Sequence, residues 1–141
     1  MRIALADTDA EILRCFPVMQ QLRPHLEEPE FLGRVASQQR EGYRLAFVER
    51  DGQVKAVAGF RMQEMLSRGR FLYVDDLVTD GAARSEGYGE SLIEWLCEFG
   101  RAHGCSQLDL DSGSQRHEAH RFYFRERMRI TAYHFSRSLT P

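Results

Sequence analysis

The segment Asp76-Leu77-Val78-Thr79-Asp80-Gly81-Ala82-Ala83-Arg84-Ser85-Glu86-Gly87-Tyr88-Gly89 joins an apolar, strand-like run to a helical one through a glycine-containing loop. Such a junction presents unpaired backbone N–H groups at the positive end of a helix dipole, which is what a pyrophosphate needs. Gly87 and Gly89 let the main chain approach a ligand without a Cβ in the way, and Arg84 adds a charge-assisted contact at the mouth of the loop. Two competing nucleotide motifs fail. There is no G-x-x-x-x-G-K-[ST], and Gly87-Tyr88-Gly89 supplies only the first half of a three-glycine dinucleotide fingerprint. Two glycines this close also occur in ordinary surface turns, so the loop alone does not name its ligand.

Other reactive side chains are sparser. Asp75 and Asp76 are consecutive, and in a regular strand they would face opposite sides unless a bulge intervened. His117 and His120 lie three apart on one helical stretch, without an H-E-x-x-H pattern, and no metal site is expected from them. Cys15, Cys97 and Cys105 form no C-x-x-C pair, and their odd number does not make a disulfide framework, so they read as reduced thiols.

These residues need a scaffold, and the length bounds it. At 141 residues the chain suits one domain spanning 1–141, with 43% hydrophobic and 28% charged residues. Lys+Arg 19 against Asp+Glu 21 gives a net charge of −2, which argues against nucleic acid as a partner, since phosphate backbones call for a basic surface. The N-terminal MRIALADTDAEILR is acidic where a signal peptide would be apolar, and no stretch is long enough to span a bilayer. A cytoplasmic protein without a membrane partner is expected.

Periodicity lays out the elements. Ile3 to Ala6 reads as an edge strand. Asp7 or Thr8 can cap a helix carrying Ile12, Leu13, Phe16, Met19 and Leu22, which Pro17 should kink or divide. A second helix follows from about Glu28 to Gln39. Tyr43–Glu49 and Val54–Arg61 are strands joined by the hairpin signal Asp51-Gly52, and Phe71–Thr79 completes a meander. From Gly87 the helical period returns, with Leu92, Ile93, Leu96 and Phe99 on one face, and His103-Gly104 ends that helix. A short strand (Gln107–Asp111), a short aromatic-rich helix (Arg116–Arg125) and a final strand (Ile130–Ser138) close a mixed α/β order.

Arg84-Ser85-Glu86-Gly87-Tyr88-Gly89 matches the pattern [QR]-x-x-G-x-[GA], preceded without a gap by Tyr73-Val74-Asp75-Asp76-Leu77-Val78 and followed by Phe122-Tyr123 in the last helix. On these residues and the order of elements, the whole chain resembles the GNAT acetyltransferases. The resemblance implies an α/β GNAT fold, a mixed, mostly antiparallel sheet with a splayed central strand pair, flanked by about four helices. It also implies N-acetylation of an amine acceptor with acetyl-CoA as cosubstrate, or, as the alternative, a catalytically silent relative that binds acyl-CoA as a sensor or assembly module. A homodimer is left open.

Residue by residue, the resemblance implies that Leu77, Val78 and Thr79 pair through main chain with the pantetheine arm, and that Arg84, Glu86, Gly87, Tyr88, Gly89 and Glu90 wrap the pyrophosphate. Tyr123 stands where a general acid protonates the departing thiolate, and a core-packing role is the competing reading for its aromatic cluster. Asp75 stands where an acidic residue deprotonates the amine through water, and Asp76 where one holds a cationic acceptor, with Glu64 as a substitute base. Arg116 replaces a frequent asparagine and is assigned to the 3′-phosphate. Arg127 replaces a helix-ending glycine, which implies a strained left-handed residue or a different helix end.

Overall fold

The computed structural model describes residues 1–141, in two compact units, 1–110 and 111–141. In the first, β1 (Arg2–Leu5), β2 (Arg44–Arg50), β3 (Gln53–Met65), β4 (Gly69–Thr79) and β5 (Leu108–Leu110) form one five-stranded sheet in that spatial order. Every neighbouring pair is antiparallel except β4 and β5, which run parallel. Parallel neighbours need a crossover, and α3 (Tyr88–Ala102) supplies it.

The turns follow from their residues. Asp51 (φ 54°) and Gly52 (φ 76°) are both left-handed, as a two-residue hairpin requires, and Arg50 faces Gln53 across it. Gly69 (φ 67°) closes the β3–β4 turn, again where a left-handed residue is needed.

Two helices pack on one face of the sheet. Helix α1 (Asp9–Leu22) starts at a capping box, in which the Thr8 side chain accepts from the Glu11 N–H and the Glu11 carboxylate accepts from the Thr8 N–H. It runs unbroken through Pro17, contrary to the expected boundary. Pro17 and Leu13 both lie on the exposed side, so the carbonyl that loses its helical partner faces solvent and the proline is tolerated. Ile12, Cys15, Phe16, Val18 and Met19 of α1 join Phe31 and Val35 of α2 (Glu28–Gln39) against Leu45, Phe47 and Val57. On the opposite face, Tyr88, Leu92 and Leu96 of α3 pack against Ala46, Val48, Ala58, Phe60, Leu72 and Val74. With both faces covered, β2 reads as a continuous apolar run, Leu45-Ala46-Phe47-Val48, rather than an alternating one.

The second unit contains α4 (His117–Arg125). His120 Nε2 lies 2.8 Å from the Gly113 carbonyl, tying the preceding loop to the helix. The helix ends in a Schellman motif: the Met128 N–H donates to Tyr123 O (3.0 Å) and the Arg127 N–H to Phe124 O (3.1 Å), with Arg127 left-handed at φ 64°. Arginine therefore occupies the position where glycine is favoured, and the strained alternative is the one realised.

Two expectations are corrected. The strand foreseen over Ile130–Ser138 does not form; no strand partners it, and Ile130, Tyr133, Phe135 and Leu139 are exposed. Without it, the parallel pair lies at the edge of the sheet rather than at its centre. The Arg127→Gly variant should gain about 1 kcal/mol, because a Cβ is removed from a left-handed residue, read as a higher urea midpoint at unchanged slope.

Candidate active site

Pairing between β4 and β5 covers Leu72↔Leu108, Tyr73↔Asp109 and Val74↔Leu110, and there it stops. Strand β4 continues to Thr79 while bonded only to β3, through Asp76↔Gly59, Leu77↔Ala58, Val78↔Val57 and Thr79↔Ala56. From Asp75 onward one edge of β4 has no strand partner. Unused main-chain donors and acceptors along such an edge are a template for an extended ligand that carries amides. The side chains of Leu77 and Val78 are committed elsewhere, Leu77 to the α3 side of the sheet and Val78 to the α1–α2 side.

The same strand feeds the loop. A 3-10 turn over Gly81–Ala83 is held by Asp80, whose carboxylate accepts from the Ala82 N–H (3.3 Å) and from Gln21 (3.0 Å). Those two donors hold the Asp80 carboxyl below its usual range, the Gln21 bond first. Arg84 is extended and exposed, and Ser85 (φ 65°) and Gly87 (φ 84°) are left-handed. Helix α3 begins immediately after Gly87 with no side chain capping it, so no side chain takes up the N–H groups of its first turn. The space a Gly87 Cβ would take is open. Glu86 and Glu90 are exposed, Gly89 is half-buried, and the Tyr88 ring is buried in the core, leaving only its main chain for a ligand. The arrangement fits a diphosphate and a chain of amides.

Where β4 leaves β5 the strand bulges. Val74 pairs with Phe60 and Asp76 with Gly59, so Asp75 is an extra residue that β3 does not match. The bulge brings both carboxylates into one network. Arg61 donates to both oxygens of Asp75, with Nη2 at 2.6 Å from Oδ2, and also to Gln38. The Asp75 hydrogen bond, ahead of the opposing effect of burial, pushes the Arg61 pKa further up. Asp76 accepts from Arg23 Nε (2.9 Å) and from the Tyr43 hydroxyl (2.9 Å), while Arg23 Nη2 donates to the Asp75 carbonyl (3.0 Å). Burial, and then the negative charge of Asp76, push the Tyr43 phenol well above its ordinary pKa, so it stays a donor. The Arg61 guanidinium sits 5.6 Å from the centre of the Tyr43 ring.

This geometry changes the expectation for the two aspartates. Neither offers unpaired negative charge: Arg61 grips Asp75 at both oxygens, and Asp76 accepts from Arg23 and Tyr43. Four participants escaped the sequence reading: Arg23, Tyr43, Gly59 and Arg61. Only Gly59 left a signal, as an isolated glycine inside a strand pattern, which marks a bulge or a close approach. A Cβ there would lie 1.8 Å from the Tyr43 hydroxyl oxygen and 2.6 Å from Asp76 Oδ2.

On α4, Phe122 and Tyr123 are half-buried and Phe124 is exposed. Burial raises the Tyr123 pKa, partly opposed by the charge of Arg116 and by a hydrogen bond from it. The phenol is therefore protonated at neutral pH. No disulfide links the three cysteines, and Cys15, wholly buried, has its thiol pushed up to about 12 by desolvation, which leaves it inert.

Residues 6–128 match the Acetyltransferase (GNAT) family. The chain belongs to the GNAT acetyltransferases. An uncharacterised N-acetyltransferase of Bacillus subtilis is 35% identical over 109 residues, 77% of each chain. The aminoalkylphosphonate N-acetyltransferase of Salmonella typhimurium is 31% identical over 69% of this chain and 62% of its own length. Among solved structures, an acetyltransferase of Trypanosoma brucei superposes with a TM-score of 0.78 at 22% identity, over 98% of this chain and 99% of that one. Glucosamine-6-phosphate N-acetyltransferase of Arabidopsis thaliana gives 0.76 at 19%, over 99% and 100%. This GNAT protein is thus an N-acetyltransferase. Gly59→Ala should lower stability by about 1–3 kcal/mol, the range for overpacking, because the added methyl must part Tyr43 from Asp76; a thermal melt within a degree of the parent would contradict the close approach.

Proposed function

We propose that the protein transfers the acetyl group of acetyl-CoA to a primary amine on a small molecule or peptide. One observation carries this reading: an unpaired β4 edge, Asp75 to Thr79, that runs directly into an uncapped helix start at Gly87. The edge at Leu77, Val78 and Thr79 offers main-chain partners to the pantetheine amides. The N–H groups at the start of α3, within the Arg84–Glu90 segment, and the Arg84 guanidinium suit the pyrophosphate. Acetyl-CoA supplies an activated thioester. The chain binds and orients it, the neutral amine attacks the thioester carbonyl and releases its proton to water, and Tyr123, kept protonated by burial, donates a proton to the departing sulfur. Arg116, bonded to that phenol, helps fix its direction and has further donors for a phosphate.

For Asp75 and Asp76 we propose positioning. They lock the bulge through Arg61, Arg23 and Tyr43, and so set the shape of the acceptor side. The Arg23 side chain is 41% exposed and can meet an anionic group on the acceptor, a reading in keeping with the phosphonate in the name of the Salmonella relative.

Coenzyme A at millimolar concentration should raise the melting temperature, as any ligand of the native state must, and Gly87→Val should abolish that rise while the unliganded protein still folds. No rise in the parent would remove the proposal. In an amine panel followed by thiol release, Tyr123→Phe should keep the coenzyme A shift and lose roughly ten- to ten-thousand-fold in kcat. Asp76→Asn should chiefly raise KM for the amine, with the pH profile of kcat unchanged; a kcat deficit that recovers at high pH would make the carboxylate a base after all.

A further inference from the structure

Helix α1 ends against both halves of the site. Its exposed Gln21 reaches the loop after β4 with the two ends of one amide: Nε2 donates to Asp80 Oδ1 (3.0 Å) and Oε1 accepts from the Gly81 N–H (2.8 Å). Two residues on, Arg23 holds the bulge through Asp76 Oδ1 and the Asp75 carbonyl. The end of α1 therefore brackets the unpaired stretch of β4, with one contact at its start and one just past its end. The demands on position 21 are narrow. Asp80 presents a carboxylate, which needs a donor, and Gly81 a main-chain N–H, which needs an acceptor. Lysine and arginine only donate and glutamate only accepts; among the long polar side chains an amide alone does both. The direction of that amide follows, since the reverse would set donor against donor and acceptor against acceptor.

The fold does not call for this contact. Helix α1 is fixed at its start by the capping box and along its length by Ile12, Cys15, Phe16, Val18 and Met19, and an exposed side chain that trades water for protein partners adds little net stability. The ends of the turn have anchors of their own: the Asp80 N–H donates to the Lys55 carbonyl (2.8 Å), and Ala83 is buried in the layer beneath α3. What Gln21 adds is the orientation of the peptide between Asp80 and Gly81. Gly81 carries no side chain to restrict that peptide, and a Cβ there would come within 3.4 Å of Gln21 Oε1. The Asp80 oxygen that takes the Gln21 bond also accepts from the Ala82 N–H (3.3 Å), so one amide steadies both the start of the 3-10 turn and the carboxylate that folds it.

We propose that Gln21 is a positioning residue for acetyl-CoA: from α1 it fixes the Asp80–Gly81 peptide and so aims the Arg84–Gly87 main chain and the start of α3 at the pyrophosphate, an assignment that rests on the loop being the pyrophosphate site. Gln21 acts through the loop rather than on the ligand. By holding the loop in its binding shape it removes an ordering cost that would otherwise reduce affinity. The diphosphate lies far along the cofactor from the reacting thioester, so this gain is the same before and during acyl transfer, and it shows in cofactor affinity rather than in turnover.

Calorimetric titration with coenzyme A, paired with urea unfolding of the unliganded protein, tests the proposal. Gln21→Met keeps the length and removes both hydrogen bonds, while Gln21→Glu keeps the acceptor and sets a second carboxylate against Asp80. The dissociation constant should rise roughly fivefold for the first and roughly tenfold or more for the second, the scale of one or two hydrogen bonds. Urea midpoints should stay at the parent value, as at other exposed sites. Adding Asp80→Asn to Gln21→Glu should recover most of the loss, because the new amide at position 80 can donate to the new carboxylate at position 21 while its carbonyl accepts from Ala82. In the amine assay, Gln21→Met should raise KM for acetyl-CoA and leave kcat and KM for the amine unchanged. A parent that does not bind coenzyme A would remove the pyrophosphate reading and this role with it. A parent that binds, with both single variants binding equally well, would overturn the role of Gln21 alone. Weaker binding that comes with a lowered urea midpoint, or no recovery on adding Asp80→Asn, would overturn it too.

Discussion

At Val74 the β4 strand loses β5 on one side, and one residue later it gains Asp75, which β3 does not match on the other. That inserted residue governs the site. Beyond it the far half of β4 continues on β3 alone, and the inserted residue places two successive carboxylates in a single network where a regular strand would have sent them to opposite faces. Gly59 is the condition for this arrangement, since only an absent side chain lets the Tyr43 hydroxyl reach Asp76.

The network is organised by geometry more than by stability. Arg23 is 41% exposed, and a pair of that kind contributes about 0–1 kcal/mol. The Arg61–Asp75 pair is better shielded and forked, a geometry that fixes direction as well as distance. Tyr43 lies deeper still, at the junction between the apolar packing of α1 and α2 and the charged bulge. The hydrophobic layer and the polar site are therefore coupled through one side chain that belongs to both.

Local patterns foretold most of the scaffold. The Asp51-Gly52 hairpin, the Thr8 cap, α2 and the helix after Gly87 depend on neighbours in sequence, and they form where propensity and period place them. Even the left-handed Arg127 was foreseeable from a missing glycine. What could not be read depends on residues far apart in the chain. Arg23 meets Asp76, and Arg61 meets Asp75, only because the sheet and α1 bring them together; nothing in the separate segments marks them. Pro17 misled for a related reason, since its cost depends on which way that face of α1 points. The Ile130–Ser138 segment has strand composition, but a strand exists only with a partner, and composition does not supply one.

In the proposed binding mode main chain does the holding along Leu77–Thr79, while the side chains of Leu77 and Val78 pack into the two layers beside the sheet. Selection on ligand contact and selection on side-chain identity are thereby separated. Any residue that fills the same apolar space preserves the edge, so this stretch can drift widely within the aliphatic residues without disturbing recognition. The bulge network, which we propose shapes the acceptor side, is built from the identities of Arg23, Tyr43, Gly59 and Arg61 and has no such freedom: a change there alters shape and charge at once. A lineage with this architecture can exchange acceptors while its means of gripping the donor stays constant.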